Sequence, residues 1–282
     1  MYDKAIEAGG LAVVTGAASG VGLVAARRFA EAGLEVILAD LPGDALDAAV
    51  AHVSDLAAPN RQIIGQSTDV TQGTDITALA DLAFSRGEVA VLMNNAGIAR
   101  PTKAWSEMDN WQSVLDVNFF GVLRGVHAFL PRMIEAARPA VVINTGSKQG
   151  ITTPPGNPGY NVSKAAVKVL TEQLAHELRE ANAPITAHLF VPGFTYTGMI
   201  ASFLPEKPPA AWTSEQSIDY FIARMRKGDF YILCPDNDVD ETCDARRVEW
   251  AVMDIAENRP ALSRWHPDFS AAFATFQQTG ER

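Results

Sequence analysis

Short apolar runs separated by longer segments of helical period constrain the fold of this 282-residue chain more than any other feature. The runs are LAVVTG from Leu11, EVILAD from Glu35, IIGQSTDV from Ile63, AVLMNNAG from Ala90, AVVINTGS from Ala140 and ITAHLFVPG from Ile185, with FYILC from Phe230 as a further one. Several are apolar at successive rather than alternate positions, which suits strands covered on both faces. Segments such as GLVAARRFAEAG and YNVSKAAVKVLTEQLAHELREAN carry apolar residues every three or four positions and read as helices. Strand and helix in alternation is the pattern of a parallel sheet with crossover helices. The expected fold is α/β: one doubly wound domain over 1–282, with a central parallel sheet of about seven strands and a core from about 10 to 234.

No internal repeat or linker interrupts the chain before residue 198. Over 199–213 the composition shifts, and Pro205, Pro208 and Pro209 break any regular element. An irregular loop, placed over the substrate, and a helix from Ser214 to Lys227 are expected there. The stretch 235–282 forms a C-terminal extension.

Composition narrows the function. A hydrophobic fraction of 48% and a charged fraction of 20% are those of an ordinary globular protein. The formal net charge of -10, without a cluster of Lys and Arg, argues against a nucleic-acid surface. Cys234 and Cys243 are the only 2 cysteines and lack metal-ligand spacing. The 5 histidines, His52, His127, His176, His188 and His266, are scattered, so no metal is expected. DNDVDET from Asp236 lacks the glycine and bidentate glutamate of a calcium loop and reads as a solvated acidic turn. The segment MYDKAIEAGG does not read as a secretory signal, and no uninterrupted apolar window of about 18–20 residues is present. A cytoplasmic protein without membrane partners is expected.

The run TGAASGVG, Thr15 to Gly22, falls between the first strand and a helix beginning near Val21, the context of a dinucleotide-binding loop. Gly16 permits the tight turn, Gly20 lets backbone approach a pyrophosphate, and Gly22 allows close packing of helix on strand. By itself the run reads equally well as an ordinary glycine-rich turn. Asp40 ends the second strand where a carboxylate can bind adenosine ribose hydroxyls. It would repel a 2′-phosphate, and Ser19 offers no positive charge, so NAD is favoured over NADP. Asp40 capping the following turn is the plainer alternative. Asp69, at the end of the third strand, is open to the same two readings, as a turn residue or a contact of adenine.

Tyr160 and Lys164 are one helical turn apart in YNVSK and share a helix face. A phenol of pKa about 10 is a poor base at neutral pH, but a nearby ammonium and a positively charged oxidised nicotinamide favour phenolate, as general acid–base work requires. Ser147, at the C-terminal end of the fifth strand, lies where ligands bind in open parallel sheets. Taken singly, each of these residues is more often structural.

Together these elements resemble the short-chain dehydrogenase/reductase family, in its ordinary non-extended branch. The resemblance spans about 10–198 and rests on TGxxxGxG at Thr15 to Gly22, Asp69, NNAG at Asn94 to Gly97, Asn118 in VNFFG, Ser147, YxxxK at Tyr160 to Lys164, and PG at Pro192 and Gly193. It implies a Rossmann fold and a tetrad of Asn118, Ser147, Tyr160 and Lys164. In that scheme Tyr160 takes the hydroxyl proton as hydride passes to nicotinamide. Lys164 binds the nicotinamide ribose, Ser147 orients substrate, and Asn118 holds a water leading the proton to solvent. Asn95, Ala96 and Gly97 line the adenosine side, and Thr197 reaches the carboxamide. The NNAG segment equally serves as a turn stabilising the sheet. The expected cofactor contacts are completed by Val21, Leu41, Val70, Pro192, Gly193 and Thr195.

GSKQGITTPPGNPGY is unusually rich in Pro and Gly. Lys148 and Gln149 follow Ser147, either touching substrate or standing on a solvated rim. Gln149, Phe194, Phe203 and Trp212 are the expected substrate contacts, and an apolar, cyclic or aromatic alcohol or ketone suits the apolar loop. The resemblance leaves the extension unexplained: it closes over substrate, packs at a subunit interface or covers apolar surface. A homodimer or homotetramer is expected. A non-catalytic NAD-binding sensor would not need the tetrad, an NADP-dependent carbonyl reductase would not place Asp40 at the ribose, and an extended-branch epimerase would carry TGxxGxxG.

Overall fold

In the computed structural model, which describes residues 1–201 and 204–280, the apolar runs become strands of one sheet. Helix α1 (Tyr2–Ala8) precedes β1 (Leu11–Thr15), α2 (Gly20–Glu31), β2 (Glu35–Asp40), α3 (Asp44–Ser54) and β3 (Ile63–Ser67). Next come α4 (Gly73–Arg86), β4 (Val89–Asn94), α5 (Met108–Leu115), a π-helical turn (Asp116–Phe120), α6 (Gly121–Ala136) and β5 (Ala140–Thr145). The chain continues through α7 (Gln149–Thr152), α8 (Pro158–Glu180), β6 (Ile185–Val191), α9 (Gly198–Ala201), α10 (Ser214–Arg226) and β7 (Tyr231–Leu233). The extension holds α11 (Glu241–Ala256), 3-10 turns at Ser263–Trp265 and Pro267–Phe269, and α12 (Ser270–Thr279).

Strand order is β3-β2-β1-β4-β5-β6-β7, and every pairing is parallel. The chain winds outward from β1 to β3, then returns to β4 on the other side of β1. That reversal opens a crevice at the C-terminal ends of β1 and β4, where ligands bind in open α/β sheets.

The strands are apolar on both faces because each face has its own helical layer. Ala12 and Val14 of β1 join the core beneath α2 and α10, whereas Leu11 and Val13 join the core beneath α4, α6 and α8. Val36 and Leu38 against Ile37 and Ala39 in β2, and Val141 and Ile143 against Ala140 and Val142 in β5, divide the same way. Each fully buried Val or Leu contributes on the order of 2 kcal/mol by leaving water. The edge strand β3 is only partly buried and stops at Ser67, short of the apolar run that suggested it.

Helix α1 was not legible as an element. It packs Tyr2 and Ala5 into the core, with Asp3 paired to Arg226 at 3.0 Å. Among the described residues, one helical run, Met108–Ala136, is long and apolar enough to cross a membrane by length and composition. Its apolar side, including Val122, Val126, Phe129, Leu130 and Met133, is buried within the fold. The described residues of the 199–213 segment are mostly irregular, with α9 as a short helix at the start. The extension carries a core of its own: Trp250, Met253, Phe273 and Phe276, with Phe269 against them.

Candidate active site

A cavity of about 750 Å³ occupies the crevice. Its floor is the glycine turn between β1 and α2. Gly16 and Gly20 adopt φ of 66° and 57°, a region that favours glycine. At Gly22 a Cβ would lie 2.1 Å from the Gly16 carbonyl oxygen and 2.6 Å from Asn95 Nδ2, so only hydrogen fits. Ser19 caps α2 and lines the cavity beside Val21.

Asn95 binds this floor to the sheet. Its Nδ2 donates to the carbonyls of Thr15 (3.1 Å) and Gly16 (3.2 Å), its backbone N–H donates to Thr15 Oγ1 (2.9 Å), and its Oδ1 accepts from Thr145 Oγ1 (3.2 Å). Asn94 Nδ2 donates to Asn144 Oδ1 at 2.9 Å across β4 and β5. The NNAG segment thus holds three strand ends together while Asn95, Ala96 and Gly97 line the cavity.

Asp40 faces the same space. Its Oδ2 accepts from Ala18 N–H and its Oδ1 from Leu41 N–H, both at 2.8 Å. These bonds tie it to the glycine turn and leave lone pairs for further donors. Leu41, Asp69 and Val70 also line the cavity. Asp69 Oδ1 accepts from the backbone N–H (2.9 Å) and hydroxyl (2.8 Å) of Thr71, so one oxygen builds a turn.

Ser147 leaves β5 at the opposite wall, and its Oγ accepts from Gln149 N–H at 3.2 Å. Tyr160 stands in the first turn of α8, which starts with Pro158 after an Asn157 cap whose side chain accepts from Tyr160 N–H. The Tyr160 side chain is hydrogen-bonded to that of Ser147. Lys164, one turn along, is 3% exposed and donates through Nζ to the Thr145 carbonyl at 2.8 Å. Its Nζ lies 5.8 Å from the Tyr160 ring centre.

Asn118 sits in the π-helical turn and is fully buried. Its Oδ1 accepts from Ile98 N–H (2.8 Å), and its Nδ2 donates to the Ile98 carbonyl (3.0 Å) and to Ser163 Oγ (3.1 Å). Ser163 Oγ in turn donates to the Tyr160 carbonyl at 2.8 Å. The carboxamide of Asn118 is therefore committed to backbone and to Ser163, behind the cavity wall rather than on it.

Burial raises the Tyr160 pKa, and the Ser147 hydrogen bond opposes that rise. This runs against the lowering expected from Lys164. The ammonium is bound to Thr145, and burial lowers its own pKa to about 8.

Pro192, Gly193, Phe194, Thr195 and Thr197, which leave β6, line the cavity with Gln149. The Thr195 hydroxyl is engaged with Ser217 Oγ at 2.7 Å. Trp212 corrects the expectation of a substrate contact. Its ring meets Tyr220 at 5.8 Å between centres, its indole N–H donates to Asn237 Oδ1 at 3.1 Å, and it is not on the cavity wall. A bridge to Thr195 fixes its backbone while the ring packs away from the cavity. Phe203 lies outside the described residues.

Lys148 and Asp236 line the cavity, and their role was not legible. The acidic run at 236 was expected to be solvated, yet the Asp236 side chain is 7% exposed. Its Oδ2 accepts from Phe194 N–H at 3.2 Å. Its place just beyond β7, at the cavity end of the sheet, was the available signal.

A crevice that runs from a glycine turn to a Ser, Tyr and Lys cluster is the kind of site an oxidoreductase uses, and the family match agrees with that class. The profile of the short chain dehydrogenase family matches residues 10–208, and the chain belongs to that family. It is 34% identical over 212 residues to the 1-deoxy-11-beta-hydroxypentalenate dehydrogenase of Streptomyces exfoliatus, covering 74% of this chain and 75% of that one. The identity to cis-4-hydroxycyclohexanecarboxylate dehydrogenase of Sinomonas cyclohexanicum is also 34%, over 74% of this chain and 82% of that one. A short chain dehydrogenase/reductase from Burkholderia phymatum, solved in complex with NAD, superposes with a TM-score of 0.80 at 30% identity, covering 89% and 96% of the two chains.

Proposed function

We propose that this protein is an NAD(H)-dependent dehydrogenase that interconverts a secondary alcohol and a ketone, with Tyr160 as its general acid–base. The observation that carries the reading is one continuous cavity, lined at one end by Asp40 and the glycine turn and at the other by Ser147, Tyr160 and Lys164. The fit to a dinucleotide is supported by Gly22, where any side chain would fill the floor, and by Asp40, whose carboxylate suits ribose hydroxyls and repels a 2′-phosphate. Gly16, Ser19, Val21, Leu41, Asp69, Val70, Asn95, Ala96 and Gly97 would hold the adenosine and phosphates. Lys164, Pro192, Gly193, Thr195 and Thr197 would hold the nicotinamide half.

When bound, the nicotinamide accepts or gives the hydride, and its oxidised form adds positive charge beside the phenol. Tyr160 takes the proton from the alcohol, or returns it to the ketone, at its phenolic oxygen. Ser147 donates to the same substrate oxygen and steadies Tyr160. Lys164 orients the ribose and supports the phenolate. Asn118 keeps the π-helical turn in register with α8 through Ser163. Ile98, Ala99, Phe194, Met199 and Ile200 give the substrate end an apolar wall. With the cyclic alcohols named for the two relatives, this favours an apolar or cyclic substrate. We further propose a cytoplasmic homodimer or homotetramer, a reading that rests on the sequence alone.

Purified protein screened against cyclic secondary alcohols should reduce NAD in preference to NADP, and bind NADH more tightly than NADPH in a fluorescence titration. Tyr160→Phe should cut turnover by about 10²–10⁴-fold with nucleotide affinity retained. Tighter NADPH binding would overturn the role of Asp40, and full turnover by Tyr160→Phe would overturn the mechanism.

A further inference from the structure

The core of the extension contains no residue from the body of the sheet, yet the extension meets the site through charge. Lys148, next to Ser147, places Nζ 2.6 Å from Asp244 Oδ2 at the start of α11 and 3.6 Å from Asp236 Oδ2. Both carboxylates are 7% exposed at their side chains and the lysine 18%. Asp236 also accepts from Phe194 N–H, on the loop that leaves β6, and through Oδ1 from Asp238 N–H at 3.1 Å. One lysine thus gathers the serine turn, the β6 exit loop and the extension. Beneath it, α7 has no slack: a Cβ at Gly150 would meet the Lys164 carbonyl carbon at 2.4 Å and Ala165 N at 2.7 Å.

We propose that Asp244 and Lys148 are positioning residues through which the C-terminal extension fixes Ser147 against Tyr160. The proposal rests on the catalytic role given to Ser147 above. Removing Asp244 takes away the nearer carboxylate and leaves Lys148 with Asp236 alone at 3.6 Å, so the ammonium shifts towards Asp236 or water. Lys148 is bonded in sequence to Ser147 and caps α7, so its displacement moves the serine. Asp244 does not line the cavity, and an effect of its substitution on the site travels through Lys148.

The test is Asp244→Asn in the full chain, with Asp244→Glu as the conservative rescue. The variant should lose about tenfold to a hundredfold in kcat, the range a misplacement on the order of 1 Å produces. Its dissociation constant for NADH should stay within about twofold of the parent. The acid limb of alcohol oxidation should move to higher pH, because Ser147 then lowers the Tyr160 pKa less. Asp244→Glu should recover most of the loss. A folded Asp244→Asn variant with parental kcat and an unmoved acid limb overturns the proposal. Should it not fold, Lys148→Met carries the same readouts, with Lys148→Arg as rescue. Hydrogen exchange separates the two readings, because it needs no substrate. Amides over 147–152 should exchange faster in Asp244→Asn, and unchanged exchange there overturns the proposal even where no alcohol is turned over. A parent that turns over no alcohol, but whose variant does speed that exchange, overturns the proposed function alone.

Discussion

Burial acts on Tyr160 and Lys164 in opposite directions, raising the phenol and lowering the ammonium to about 8. For Lys164 the unfolded value is near 10.5. Below about pH 8 the lysine is charged in both states, and the folded protein bears the cost of keeping that charge out of water. Between about 8 and 10.5 the unfolded chain binds more protons, so stability rises with pH across that window. The shift corresponds to about 3 kcal/mol at neutral pH. Lys164→Met removes that cost but strands the Thr145 carbonyl, which offsets about 1–3 kcal/mol of it. The variant should therefore be inactive yet more stable by about 1 kcal/mol in urea unfolding at pH 7, with the gain fading above pH 10. A variant less stable than the parent at pH 7 would show that the lysine is structurally favourable as it stands.

At the scale of the element, the turn from β1 into α2 is the tightest fit in the site. Gly22→Ala drives a methyl group into the Gly16 carbonyl and the Asn95 amide. It should destabilise the fold by about 1–3 kcal/mol and weaken NADH binding at least tenfold. Both are read from urea unfolding and a fluorescence titration, and unaltered NADH affinity would mean that the turn does not shape the nucleotide site. This turn was legible because its cause is local: glycine spacing, the preceding apolar run and the following helical period all lie within Leu11 to Glu31. The same holds for Tyr160 and Lys164, which one helix carries. The Lys148 contacts were not legible, because their partners lie at 236 and 244 and only folding joins them. Nor was α1, whose Tyr2 is buried by helices and strands distant in sequence. Trp212 misled for a related reason, since composition marks an aromatic residue as apolar but not the direction in which its ring packs.

Over the described residues as a whole, apolar clusters cover both faces of the sheet and a separate, small one serves the extension alone. Trp250 is its centre: 4% exposed, in ring contact with Phe273 and Phe276, with Arg259 over its face at 4.5 Å and its indole N–H donating to Ser263 Oγ at 2.8 Å. Trp250→Ala should remove about 3–5 kcal/mol from that unit. Limited proteolysis should then cut within 241–279 while a fragment containing the sheet persists. Uniform digestion of the whole chain would show that the extension and the sheet unfold together. A part that brings its own core, and meets its host over α7, the Asn237 hydrogen bonds and a few charges, behaves as an added fitting. Because α11 reaches the cavity through Lys148, exchanging the tail would alter how firmly Ser147 is held and leave the glycine turn and its crevice on their own core.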